Sequence, residues 1–369
     1  MNFLEHFQTL DDPRSHINRK HDLLDILFLT LSAILSGSEG WEGIEAFGQI
    51  KLDWLKKYRG FENGIPRHDT IARVISALEP EQFVQCFMNW VNEVRQANGQ
   101  DVIAIDGKTL RRSHDGERKA ALHLISAYCC ETGLVLTQAE SKGKKNEIKT
   151  VPDVLDLLAL SGCTVTLDAM SCQKKIVEKI RAKGAHYVVA LKGNQGNLEK
   201  EVKAWIHKLE REEFTGAAHQ CFEQIEKGHG RIEERYYRQI IINDWLSAAV
   251  DWKDLTTLIE VKRTRHHKNK ISNETQYYIS SLPLDAVRAG KAIRSHWAIE
   301  NRSHWVLDVT FSEDNSRIRR NNAPENMAAI RRFVMNLVKI DTTLQASMKR
   351  KRQMAGWDDE FRAKLLFGG

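Results

Sequence analysis

Two short apolar runs, each closed by an aspartate, constrain this chain more than any other feature in it. Val102-Ile103-Ala104-Ile105 ends at Asp106, and Cys163-Thr164-Val165-Thr166-Leu167 ends at Asp168. Runs of this length bounded by a charge read as buried strands. In an open α/β sheet, functional groups gather outside the carboxyl ends of the strands. If the two strands are neighbours, both carboxylates project into one crevice. Residues 122–130 and 134–140 read as further strands joined by a turn at Glu131-Thr132-Gly133. Residues 151–160 read as a helix with Pro152 near its first turn, 173–183 as an amphipathic helix, and 186–191 as a fifth strand. A meander first and helical crossovers afterwards imply a mixed α/β sheet.

The flanks read differently. Residues 1 to about 95 are helical in pattern, with Asp22 as an N-cap, Gly37 at a C-cap position, Asp69 as a further cap and Pro80 opening the last helix. From 194 to about 290, Ile225, Tyr236, Tyr237, Ile240, Leu258, Ile259, Tyr277 and Tyr278 mark several strands expected to be antiparallel. Beyond Val287 the chain turns helical, first over 289–308. A second helix follows, whose Met327, Ile330, Phe333, Val334, Leu337 and Val338 form one stripe. The last residues, with Lys349-Arg350-Lys351-Arg352, read as a basic appendage. With 369 residues, 42% apolar and 28% charged, the chain can bury a sizeable core and is not generally disordered. Six cysteines without metal-type spacing suit a reducing compartment. The start, Met1 to His6, lacks the basic opening of a signal peptide, and the apolar stretch 23–35 is too short to span a bilayer.

A third carboxylate sits on the helix over 289–308. Around Glu300, His296 stands at i−4, Trp297 at i−3 and His304 at i+4, positions that share a helix face. A solvated face rarely carries this mixture; a core helix with an exposed polar edge is the plainer alternative. His296, Glu300 and His304 also have a spacing open to zinc, though they drift around the helix and no Cys stands nearby. Two strand-end aspartates with a helical glutamate make a hard-oxygen set suited to Mg²⁺ or Mn²⁺.

The net charge of +6 is mild, so its placement matters more than its size. Lys262, Arg263, Arg265, Lys268 and Lys270 run without an acid over 261–270. Ten Lys or Arg stand against Glu325 and Asp341 over 315–352, and Lys142, Lys144, Lys145 and Lys149 follow the third strand. Concentrated positive charge binds phosphates through counterion release. A bound cation and basic walls together reconcile a carboxylate pocket with DNA. Trp41, Trp54 and Trp90 read as core; Trp245 and Trp252 read either as core, the simpler reading, or as platforms for an unstacked base.

Several strings together carry a resemblance: Ala104-Ile105-Asp106-Gly107-Lys108, Leu167-Asp168-Ala169-Met170, Leu191-Lys192-Gly193-Asn194-Gln195, His229-Gly230-Arg231 and His296-Trp297-Ala298-Ile299-Glu300-Asn301. In this order the chain resembles the DDE transposases of bacterial insertion sequences, and among them the H-repeat-associated transposases found with Rhs elements. The likeness spans nearly the whole chain, including Asp12-Pro13-Arg14 and Gly64-Ile65-Pro66. It implies an RNase H-like core over 101–340 with a β-rich insertion at about 194–290 before the last catalytic helix. An N-terminal helical module over 1–98 would bind DNA ends, and 341–369 would be a basic tail.

The resemblance further implies that Asp106, Asp168 and Glu300 are catalytic and hold two Mg²⁺ ions, with Mn²⁺ as substitute. They would serve phosphoryl transfer on double-stranded DNA, at terminal inverted repeats and target DNA, in a cytoplasmic, nucleoid-associated homodimer without membrane contact. The expected DNA contacts are Lys108, Lys192, His229, Arg231, Arg263, Arg265, Arg294, His296, Arg317, Arg319 and Arg320. One departure stands out. The wider clan often places Tyr, Arg and Lys around its Glu where this chain has Ile293, His296 and Leu307, leaving Arg294 or His296 as the substitute phosphate contact. A nuclease without strand transfer and a catalytically silent DNA-binding relic remain as alternatives.

Overall fold

Helices account for the chain up to residue 95: α1 (Phe3–Phe7), α2 (Leu23–Leu35), α3 (Trp41–Ile50), α4 (Leu52–Leu55), α5 (His68–Ala77) and α6 (Pro80–Val94). The computed structural model describes residues 3–15, 17, 19–95, 100–114, 120–228, 230–242, 246–268 and 270–368. Helix α2 is apolar almost all round and is accordingly buried. Asp22 caps it by accepting from the N–H groups of Leu24 and Asp25, and Gly37, at φ +103°, follows its end. Asp69 does not cap α5, which begins one residue earlier; instead Glu45 of α3 reaches across and accepts the His68 N–H at 2.8 Å.

The middle of the chain holds β1 (Val102–Thr109), β2 (His123–Cys129), β3 (Leu134–Ser141), α7 (Glu147–Asp156), β4 (Thr164–Leu167), α8 (Lys174–Ala182) and β5 (His186–Leu191). Helix α7 starts earlier than the proline suggested, so Pro152 lies inside it. The next region, expected to be β-rich, also holds a helix that the sequence reading did not place. It opens with the amphipathic helix α9 (Gly196–Arg211) before β6 (His219–Gly228), β7 (Arg231–Ile241), β8 (Thr257–His267) and β9 (Lys270–Ser280). These strands join the first five in one nine-stranded mixed sheet, ordered β3-β2-β1-β4-β5-β9-β8-β7-β6. Strands β1, β4 and β5 run parallel and are largely buried; the other pairings are antiparallel.

The chain then forms α10 (Ala286–Ile299), a π-helical turn at Glu300–His304, α11 (Trp305–Phe311), α12 (Ala323–Ile340), α13 (Met348–Trp357) and α14 (Asp359–Phe367). Helix α12 is the hub between the two ends of the chain. Its Phe333 ring lies 5.7 Å from Phe3, 5.4 Å from Phe7 and 4.6 Å from Trp90, and its Asn326 donates to the carbonyls of Ile75 and Leu78. The C-terminal segment is not a basic appendage. Arg352 and Arg362 are buried: Arg352 donates to the carbonyls of Thr310 and Ile34, and Arg362 donates to that of Ala355 and stacks on Trp54. Cations at the ends of helices satisfy carbonyls that the helix leaves open. Among the described residues, no helix is long and apolar enough to cross a membrane.

Candidate active site

Strands β1 and β4 are parallel neighbours, in register from Val102 opposite Thr164 to Ile105 opposite Leu167. There β4 stops. Asp168 turns the chain by accepting the Ser171 N–H at 3.0 Å, whereas β1 continues through Gly107 to Thr109 against β2. Asp106 therefore lies within its strand rather than at its end, beside the opening that the shorter strand leaves. Helix α10 packs across β1, β4 and β5 and delivers Glu300 at the first residue of the π turn, a local irregularity found often at functional sites. A cleft of about 380 Å³ opens at this point, with Asp106, Asp168 and Glu300 all in its lining.

Burial drives the Asp106 carboxyl up to about 7, and the charges of Glu300, Asp168 and Glu147 add to the rise against a hydrogen bond from the Gly107 backbone. Three further carboxylates line the cleft, Glu147, Glu199 and Glu274. Sequence reading missed Glu147, whose charge bears on Asp106. It is buried and bonded to His123 Nε2 at 2.6 Å, while His123 Nδ1 meets Thr109 Oγ1 at 2.7 Å. No local pattern links Thr109, His123 and Glu147; only the pairing of β1 with β2 and the packing of α7 bring them together.

The two histidines of the glutamate helix are each partly buried, in separate surroundings. His296 lines the cleft, with Nδ1 3.0 Å from Thr166 Oγ1, and burial pulls it down to about 4. His304 Nδ1 lies 3.7 Å from Asp106 Oδ2, and burial pulls it down to about 3. Among the described residues, His296, Glu300 and His304 do not bring donor atoms within 4.8 Å of one another, so no zinc set forms.

The expected DNA contacts scatter. Lys192 follows β5 and is exposed in the cleft lining, together with Lys144. Lys108 is not available to phosphate: it is buried and ion-paired with Asp308 at 2.7 Å, Asp314 at 3.1 Å and Glu313 at 3.3 Å. Arg294 is held by Glu226 at 2.9 Å, Arg263 by Glu274, and Arg231 and Arg265 by Glu233 at 3.0 and 3.1 Å. The run over 261–270 contains no acid, yet neighbouring elements supply acids to most of it. Arg319 donates to the Arg112 carbonyl, whereas the exposed side chains of Arg317 and Arg320 have no partner among the described residues. His229 and Trp245 lie outside the described residues. Trp252 is buried and belongs to the core; Trp297, 41% exposed, is the tryptophan that lines the cleft.

Asp106, Asp168 and Glu300 offer the cleft hard oxygen ligands of the kind a divalent cation takes, although their donor atoms do not all lie within 4.8 Å of one another. The group that does bring its donor atoms within 4.8 Å, among the described residues, is Asp101, Cys129 and Glu131 at the opposite end of β1. Its members are already engaged: Asp101 pairs with Arg95 at 2.6 Å, Glu131 accepts the Val102 N–H, and burial pushes the Cys129 thiol up, away from a thiolate.

Residues 4–91 match the family of DDE_Tnp_1-associated segments, and residues 97–337 match the transposase DDE domain family. The H repeat-associated putative transposase YhhI of Escherichia coli K12 is 42% identical over 371 residues, spanning 99% of this chain and 97% of that one. The inactive transposase YbfQ of the same organism is 56% identical over 73 residues, 20% of this chain and 87% of that one. A cryo-EM structure of the piggyBac transposase synaptic complex with hairpin DNA aligns with 98% of this chain and 77% of that one at 10% identity. Its TM-score of 0.44 is too low to bear on the fold.

Proposed function

The chain belongs to the DDE-domain transposase family, and from that premise we propose that it cleaves DNA at the ends of an insertion-sequence-like element and joins the freed strands to new DNA. The observation that carries this reading is the meeting of Asp106, Asp168 and Glu300, from three separate elements, in one cleft with Lys144 and Lys192 in its lining. The order β3-β2-β1-β4-β5 supports taking this half of the sheet as an RNase H-like core, with β6 to β9 as the extension before the glutamate helix.

Asp106, Asp168 and Glu300 would hold two Mg²⁺ or Mn²⁺ ions. When bound, such ions activate an attacking water or 3′-hydroxyl and stabilise the leaving oxygen. The protein's own contributions follow from where its side chains stand. Glu147, fixed by His123 and through it by Thr109, braces the strand segment that carries Asp106. Lys144 and Lys192 meet the phosphates that enter the cleft. Trp297 offers a face to a base displaced near the cut. Helices α1 to α6 are assigned to the element's terminal repeats, and processing both ends together calls for two copies of the chain.

The test is a labelled duplex carrying the element's own ends, incubated with Mg²⁺ and with wild type, Asp106→Asn or Glu300→Gln. The reading expects a nick at the element boundary, lost in both variants and in EDTA, and joined products when a target duplex is added. A nick without joining makes the protein a nuclease. Tight binding by wild type without any cut makes it a DNA-binding protein that has lost its chemistry.

A further inference from the structure

The two edges of the nine-stranded sheet are treated differently. At the β3 edge, Asn336 of α12 stands in for a neighbouring strand. Its Oδ1 accepts the Val135 N–H at 3.0 Å, and its Nδ2 donates to the Val135 carbonyl at 2.8 Å. At the other edge, β6 pairs with β7 alone. A ten-residue edge strand left open presents a row of backbone donors and acceptors, the usual template for another strand.

The side chains of β6 say which strand fits. Phe222 and Glu226 face α10, where Phe222 packs by Gly290 and Glu226 binds Arg294. Side chains alternate along a strand, so Glu223, Ile225 and Lys227 share the opposite face, and all three are exposed, Ile225 at 64%. Several charges in this half of the sheet are matched within it: Arg235 with Glu226 and Glu233, Arg238 with Glu260, Arg263 with Glu274. Lys262 is matched from outside the sheet, by Glu210 of α9. The side chains of Glu223 and Lys227 have no partner among the described residues. They stand two residues before and two after Ile225.

We infer that β6 pairs antiparallel with β6 of a second copy of this chain, about a two-fold axis perpendicular to the sheet at Ile225. In that register Ile225 meets the partner's Ile225, Glu223 meets the partner's Lys227, and Lys227 meets the partner's Glu223. The axis makes each favourable pair occur twice. Moving the axis by one residue either way sets Ile225 against a charge, against Glu223 in one direction and Lys227 in the other, so the register is specified. The two sheets become continuous by strand addition. This pairing rests on the sheet edge alone and stands whether or not the cleft cleaves DNA.

The experiment is sedimentation equilibrium on the full chain without DNA, over a wide concentration range. Wild type should dimerise. Glu223→Lys sets Lys against Lys twice, and Lys227→Glu sets Glu against Glu twice. Each should weaken the dimer about tenfold, while the doubly exchanged protein regains it. Neither side chain supports the monomer, so at concentrations too low for dimer the melting curves should match those of wild type, and at higher concentrations the single exchanges should lose the rise in Tm that the dimer gives. Ile225→Cys in a Cys221→Ser background should give a disulfide-linked dimer under mild oxidation, because opposed Cα atoms in antiparallel strands lie about 4.5 to 5.5 Å apart, within disulfide reach. A monomeric wild type, a dimer indifferent to the single exchanges, or a double exchange that fails to restore it would overturn the proposal. Exchanges that weaken DNA binding by a monomeric protein would assign the strand to DNA and overturn it equally.

Discussion

A Cβ added at Gly107 would stand 2.6 Å from both Glu147 Oε1 and His123 Nε2, so the glycine after Asp106 is there to let a buried polar pair lie on the backbone. Gly107→Ala should lower stability by roughly 1–3 kcal/mol, read as a fall in Tm, and should reduce cleavage by shifting Asp106. Lys108 shows where residue-level reading fails. Its place after Asp-Gly suggested a phosphate contact, but its partners Asp308, Glu313 and Asp314 lie about the far end of α11. With Arg332 it neutralises Glu313, which is fully buried. Lys108→Met should therefore destabilise the fold by roughly 1–3 kcal/mol, because it leaves the buried Glu313 to Arg332 alone and takes the ion-pair partner from Asp308. Folded at low temperature, the variant should bind DNA as wild type does. A normal melt with weakened DNA binding would return Lys108 to the role that the sequence suggested. That Asp106, Asp168 and Glu300 would line one cleft could be read in advance, because a run-ending acid and an acid among aromatics are local patterns. The place of Glu147 could not, since only tertiary pairing makes it part of the cleft.

Elements were legible where their pattern was internal. The helices α2 and α12 and the strands β1 to β5 follow from apolar periodicity, and Asp22 caps where a cap was due. Helix α9 was missed because strand-forming residues further along dominated the reading of its region. The C-terminal helices were misread because Lys349 to Arg352 has the composition of a solvated tail, while Arg352 is buried against carbonyls of α2 and α11. The link from α12 to α13 has its own pH signature. Burial works against the Asp341 charge, but hydrogen bonds from Thr343 and Lys351, with the backbone N–H groups of Thr343 and Leu344, outweigh it and take the carboxyl down to about 2 from an ordinary 3.8. A depressed folded-state value means that the carboxylate stabilises the fold above 3.8 and that this contribution is lost as pH falls towards 2. Urea melts of wild type and Asp341→Asn should differ by a constant amount at neutral pH, and the gap should close across that acid window. A gap that persists at pH 2 would contradict the assignment.

Over the whole molecule, one sheet carries both the carboxylate cleft and the long antiparallel extension, and one helix, α12, ties the first and last helices into a common core. The mixed α/β class could be read from the order of elements; the fusion of all nine strands into one sheet could not, because the pairing of β5 with β9 joins residues some ninety positions apart. Clusters of basic residues were equally deceptive. Most of 261–270 is neutralised by acids on neighbouring elements, whereas the exposed side chains of Lys142, Lys144, Lys145 and Lys149 have no partner among the described residues. Lys144→Ala with Lys192→Ala should weaken DNA binding on every sequence and reduce the slope of log K against log salt by about 2; an unchanged slope would place the DNA elsewhere. The central claim is that Asp106, Asp168 and Glu300 form one cation site, and calorimetric titration of Mn²⁺ into the DNA-free protein tests it most directly. Wild type should bind Mn²⁺, and each of Asp106→Asn, Asp168→Asn and Glu300→Gln should lose that binding or weaken it severely, with melting curves showing each variant folded. Mn²⁺ binding that survives all three substitutions undiminished would contradict it.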